Sequence, residues 1–109
     1  MMAIEPVPSQ EWAALVNATT YACRTPDIGG KLYGLMGRAG FSDISVLVVT
    51  RPDTDGRLLS MIKNMAGYAR TSEKINHADS EKVLSIIEQA VIDGSYLGLA
   101  PQFVVTATR

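Results

Sequence analysis

Residues 44–50, Ile-Ser-Val-Leu-Val-Val-Thr, constrain this chain more than any other stretch. Gly40 and Pro52 bound the run, which is too short for an ordinary helix and rich in β-branched residues. Its consecutive apolar positions predict a strand buried on both faces, with a sheet neighbour beside it and helices above and below. Residues 103–108 form the second strong strand, with Phe103, Val105 and Ala107 on one face and Val104, Thr106 and Thr108 on the other. The two strands are expected to pair. The segments between them read as helix.

Residues 1–5 are a short apolar lead-in, read as the end of a strand and stopped by Pro6 and Pro8. Ser9 is the expected cap of a helix over residues 10–23, with Glu11 in its first turn and Trp12, Leu15, Val16 and Thr19 at helical spacing. Thr25, Pro26 and Asp27 open a second helix as cap, first-turn proline and acid. Its stripe is Ile28, Leu32, Leu35, Met36 and Ala39, and Gly40 ends it. Gly29, Gly30, Gly34 and Gly37 lie inside it, each costing about 0.8–1 kcal/mol against Ala, so packing rather than propensity has to hold it.

Beyond the first strong strand, residues 52–56 are expected to turn the chain and cap a third helix. Leu58, Met61, Ile62, Met65 and Ala69 make its stripe. Residues 71–79 are polar and read as a loop. Ser80 is the expected cap of a fourth helix, with Val83, Ile86, Ile87, Ala90 and Val91 inward and Gly94 closing it. Residues 95–101 read as a connector.

The chain has 109 residues, of which 47% are hydrophobic and 19% charged, enough for a single domain with one core. With a net charge of -1 and scattered Lys and Arg, it lacks the basic stripe that nucleic-acid phosphates require. No apolar run approaches the roughly 20 residues needed to span a bilayer, so no membrane partner is expected. Residues 1–8 lack the basic start and apolar core of a signal peptide. The single cysteine, Cys23, cannot form an internal disulfide, which fits a reducing compartment. The expected location is the cytoplasm.

Several chemistries fail on their spacing. Gly30-Lys31 is followed by Leu32 rather than the Ser or Thr of a phosphate loop, and the glycines lie in a helix ahead of a strand rather than after one. His77, Asp79 and Glu81 do not converge as metal ligands across a helix start, and no second His exists. Cys23 has no His at a recognisable offset. No catalytic constellation and no metal site is expected. Aromatic residues remain, either as packing or as walls of an apolar cleft with polar tips.

Three segments in order resemble the C-terminal part of the class I S-adenosylmethionine-dependent methyltransferases, of the small-molecule type related to ubiquinone and menaquinone biosynthesis. Ile4-Glu5-Pro6 leading to Trp12 resembles the end of that family's fifth strand and the segment after it. Arg24-Thr25-Pro26-Asp27-Ile28-Gly29-Gly30-Lys31-Leu32, continuing through Arg38-Ala39-Gly40-Phe41-Ser42-Asp43-Ile44, is similar to its "N-P-x-I-G-R-x-L … A-G-F-x-D-V" stretch, a helix running into the sixth strand. Gly94-Ser95-Tyr96-Leu97 and then residues 103–107 resemble the connector into the seventh. Gly30 stands where the family often has Arg.

The resemblance implies an α/β fold: a partial Rossmann-like methyltransferase sheet, made of a remnant of the fifth strand with the sixth and seventh, and about four helices. The seventh strand would lie antiparallel between the other two, in one domain over residues 1–109. The family holds its methyl donor with elements that precede the fifth strand, so no cofactor-binding residue carries over, although S-adenosylmethionine is implied for the complete enzyme. The retained part would line an acceptor pocket through Trp12, Tyr68, His77 and Tyr96. The chain alone is then not expected to be catalytic. Its expected partners are a small-molecule acceptor and either a second copy or a polypeptide carrying the donor-binding half. The competing expectation is a stand-alone, non-catalytic small-molecule-binding or dimerisation module derived from that fold.

Overall fold

The computed structural model describes residues 2–23 and 27–109. In chain order the elements are β1 (Ala3–Glu5), α1 (Ser9–Thr19) with a 3₁₀ turn (Thr20–Ala22), α2 (Ile28–Arg38), β2 (Ser42–Val49), α3 (Leu59–Ser72), α4 (His77–Asp93), β3 (Leu97–Leu99) and β4 (Gln102–Thr108). Among the described residues the fold is mixed α/β, with four α-helices and two antiparallel two-stranded sheets, β1–β3 and β2–β4.

The core belongs to β1, α1, α3 and α4. Spacing of three and four residues puts Trp12, Leu15 and Ala18 on one face of α1, Ile62, Ala66 and Ala69 on one face of α3, and Val83, Ile87 and Ala90 on one face of α4. Leu15, Ile62 and Ile87 are fully enclosed, each burial contributing about 1.5–3 kcal/mol. Ile4 of β1 and Tyr96 complete it.

No residue of α2, β2 or β4 enters this core. The expectation that residues 44–50 are buried on both faces is therefore corrected: Val46, Leu47 and Val48 are exposed by 42%, 59% and 51%. The physical reason is the width of the sheet. With one strand neighbour and one covering helix, β2 has one edge and one face left open.

The two strong strands do pair, with Val46 opposite Val105, Leu47 opposite Val104 and Val48 opposite Phe103. The ladder slips between Ser42 and Ser45, where two residues of β2 oppose one of β4. Asp43 sits at this bulge with φ of 52°, and Gly40 ends α2 with φ of 93°. Both residues of the Ala-Gly-Phe-Ser-Asp junction that take left-handed backbone are of types that tolerate it.

The two sheets meet at Gly98. Its N–H and C=O both bond to Asp53 beyond the end of β2, each at 2.8 Å. In an antiparallel ladder the next residues on either side then point their polar groups to the other edge. There Leu97 and Leu99 are paired with Glu5 and Ala3 of β1. The final extended run, residues 97–108, thus has β1 along one edge of its first part and the β2 side along the other.

Several local boundaries differ from expectation. Pro8, not Ser9, occupies the cap position of α1, and the helix tightens into its 3₁₀ turn before Cys23. The expected cap at Thr25-Pro26 lies outside the described residues, and α2 starts after Asp27. The loop read over residues 71–79 shrinks, because α3 runs to Ser72 and α4 begins at His77. Asn76 caps α4 by accepting the Asp79 N–H at 2.8 Å, whereas Ser80 is buried inside the helix and donates to the His77 carbonyl. The connector at 95–101 contains β3.

Candidate functional site

Two open grooves share Met2, whose position follows from Trp12: the indole Nε1 of this α1 residue donates to the Met2 carbonyl at 3.0 Å. On one side of Met2 a cavity of about 530 Å³ is lined by Trp12, Ala13, Val16, Asn17 and Thr20 of α1 and its extension, and by Met65 of α3. On the other side a cavity of about 420 Å³ is lined by Asp27, Gly29, Gly30, Ala100, Pro101 and Phe103. Both volumes fall in the range of small-molecule sites, with mostly apolar walls and a few polar groups.

Close approach sets the second wall. A Cβ on Gly29 would come within 2.7 Å of Phe103 Cδ2, so only glycine lets the first turn of α2 lie against that ring. At the mouth, Asp27 pairs with Lys31 at 2.8 Å, and this hydrogen bond holds the exposed carboxyl below the usual range.

Of the four aromatic and histidine residues singled out in the sequence, Trp12 lies in the groove wall, 7% exposed. Tyr68 is exposed and meets Tyr21 edge to face, with ring centroids 6.3 Å apart. Helical spacing places it one turn beyond Met65, and Tyr21 follows Thr20, but neither tyrosine lines the groove. His77 and Tyr96 are not brought there. His77 is the first residue of α4, with its Nε2 4.0 Å from Glu81 Oε1 and its side chain in solvent. Tyr96 is 3% exposed and donates its hydroxyl to Asp53 Oδ2 at 2.7 Å.

The expected turn and cap over residues 52–56 falls to Asp53, whose burial, like the place of Met2, was not legible. Asp53 is buried at the turn ahead of α3, where Oδ1 accepts the Asp55 and Arg57 N–H groups and Oδ2 accepts the Leu58 N–H and the Tyr96 hydroxyl. Burial pushes its carboxyl up, but Tyr96 and these three N–H groups outweigh that and bring it down to about 2. Burial first, then the bond to Asp53 and its charge, raises the Tyr96 phenol. A carboxylate so fully occupied by donors is a structural anchor, not a free base. The pattern Asp-x-Asp-Gly ahead of a helical stripe was the available signal for a cap, and the partner 43 residues away carries none.

Among the described residues no group of three or more His, Cys, Asp or Glu side chains could hold a metal ion. Gly29, Gly30, Gly34 and Gly37 all lie in α2, ahead of β2, so they do not form a strand-to-helix phosphate turn. No helix is long and apolar enough to cross a membrane among the described residues. No family model, curated protein or solved structure matches the chain.

Proposed function

We propose that this chain is the C-terminal, acceptor-recognising portion of an S-adenosylmethionine-dependent methyltransferase acting on a small molecule, with the donor site supplied by other residues. The observation that carries the reading is the final extended run, 97–108, lying antiparallel to β1 on one edge and to the β2 side on the other. The structure has two two-stranded antiparallel sheets joined by the Asp53–Gly98 bridge, and that pairing supports reading the run as a seventh strand between a fifth and a sixth. The groove beside Met2 is the acceptor surface, with Trp12 and Met65 in its wall. Its part in catalysis is positional: an acceptor held against the methyl donor reacts with an advantage that comes from orientation.

Calorimetry on the isolated chain tests the donor half of this reading, and no S-adenosylmethionine binding is expected. Tight binding would overturn it. Trp12 is the single tryptophan, so its emission reports entry of small aromatic or isoprenoid-like acceptors into the groove. A panel of such compounds that leaves the emission untouched counts against the acceptor half. A non-catalytic binding or dimerisation module is the second reading, favoured by the uncovered apolar face of the β2–β4 pair. The adjoining coding sequence separates the two: a strand leading through Gly-x-Gly-x-Gly into a helix supports the enzyme.

A further inference from the structure

We propose that a separate cavity, between α1 and the start of α4, binds a small zwitterion: a free α-amino acid with an aliphatic side chain. The cavity measures about 360 Å³, within the range of small-molecule sites. Helical spacing puts Glu11 and Ala14, which line it, on a different face of α1 from Ala13, Val16 and Thr20, which line the groove beside Met2. The site is therefore distinct from the acceptor surface, and the two proposals stand or fall separately.

Part of the wall is apolar. Val83 belongs to the core, Ile75 packs against that core, and Ala14 adds a third aliphatic group. The rest carries charge of both signs, with Glu11 and Asp79 among the acids and Lys74 and Lys82 among the bases. A ligand of one sign would answer half of these groups and face like charge in the other half, whereas a zwitterion is complementary to both.

The charged groups are only partly occupied by one another. Lys82 Nζ meets Glu11 Oε1 at 3.0 Å, but Glu11 Oε2 is shut off from solvent with no donor among the described residues, a costly state for a carboxylate oxygen. The hydrogen bond and charge of Glu11, and after them the charge of Asp79, hold the Lys82 ammonium above its ordinary value, so both acids act on one region of the wall. Among the described residues Lys74 has no carboxylate, and Asp79 no cation, within ion-pair distance. A ligand ammonium between Glu11 and Asp79 supplies the missing donor, and the ligand carboxylate accepts from Lys74. Ala14, Ile75 and Val83 take the aliphatic side chain.

Titration of the full chain with L-leucine, followed by amide nitrogen–proton correlation spectra, tests the proposal. Saturable shifts are expected at Glu11, Ala14, Lys74, Ile75, Asp79 and Val83. Isocaproate, which lacks the ammonium, and isopentylamine, which lacks the carboxylate, should each bind at least about tenfold more weakly, since each forfeits a charge-assisted contact. Glu11→Gln and Lys74→Met should each raise the leucine dissociation constant by a similar factor, and the spectrum of the free variant reports that its fold is kept. Lys63→Met, which removes the partner of Glu88 outside this cavity, should leave it unchanged. An absence of saturable shifts up to the solubility of leucine overturns the proposal. So do shifts centred on the groove beside Met2, equal binding of either single-charge analogue, or an affinity that survives both Glu11→Gln and Lys74→Met.

Discussion

The Tyr96 hydroxyl donates to Asp53 Oδ2 across 2.7 Å, joining the exit of α4 to the turn that starts α3. The same Asp53 carboxylate collects three backbone N–H groups, and its main chain is bridged to Gly98. One buried acid therefore ties the helical core to the strand run that carries the groove.

Tyr96→Phe keeps the ring and removes one donor from a buried carboxylate. Hydrogen bonds to charged groups contribute about 1.5–3 kcal/mol, and urea denaturation should show a loss of that size. A variant as stable as the parent would mean that the bond contributes nothing net.

Acid should weaken the same anchor. The Asp53 carboxyl titrates at about 2 in the folded chain, below an unfolded value of about 3.9, so its stabilisation is whole above about pH 4 and is lost as pH falls through about 2. The raised phenol of Tyr96 works in the other direction: its contribution is whole below about pH 10 and declines as pH rises beyond it. Stability measured across pH in the parent, Asp53→Asn and Tyr96→Phe should show the acid limb flattened in the first variant and the alkaline limb in the second.

Gly98→Ala and Gly67→Ala should move stability in opposite directions. A Cβ on Gly98 would collide with the Tyr96 hydroxyl and lie 2.9 Å from Leu58 Cδ1, so the strand and the anchor could not both keep their places. Gly67 is in the middle of α3 with nothing within 4 Å of its Cβ position, and alanine there should add about 0.4–1 kcal/mol. Thermal melts of the two variants give the comparison directly.

Asn76→Ala removes the side chain that caps α4 and should cost about 1 kcal/mol. Asn76→Asp retains an acceptor for the Asp79 N–H and should restore most of it. Equal losses in both variants would show that the cap bond is not what the alanine removes.

Much of the local structure was legible because it rests on short-range physics. Gly94 closes α4 with φ of 82°, and the stripe of α4 reads directly as its buried face through Val83, Ile87 and Ala90. Asn76 was missed because Ser80, a good capping type, stands four residues on; only the buried packing of Ser80 reveals that the helix has already begun. In the groove, Trp12 was legible as an amphipathic aromatic. Tyr96 belongs to the Asp53 anchor and His77 to solvent, a division that no spacing encodes.

The order of the four helices and the two strong strands, the pairing of those strands and the left-handed positions at Gly40 and Gly94 follow from the residues alone, since each depends on neighbours within a few positions or on an apolar period. Tertiary structure decided which of those elements make the core. An apolar strand is buried only if enough strands and helices surround it, and β2, with one of each, leaves Leu47 facing outward. It also decided that Asp53 meets Tyr96, because burial of a carboxylate is stable only where distant donors converge on it.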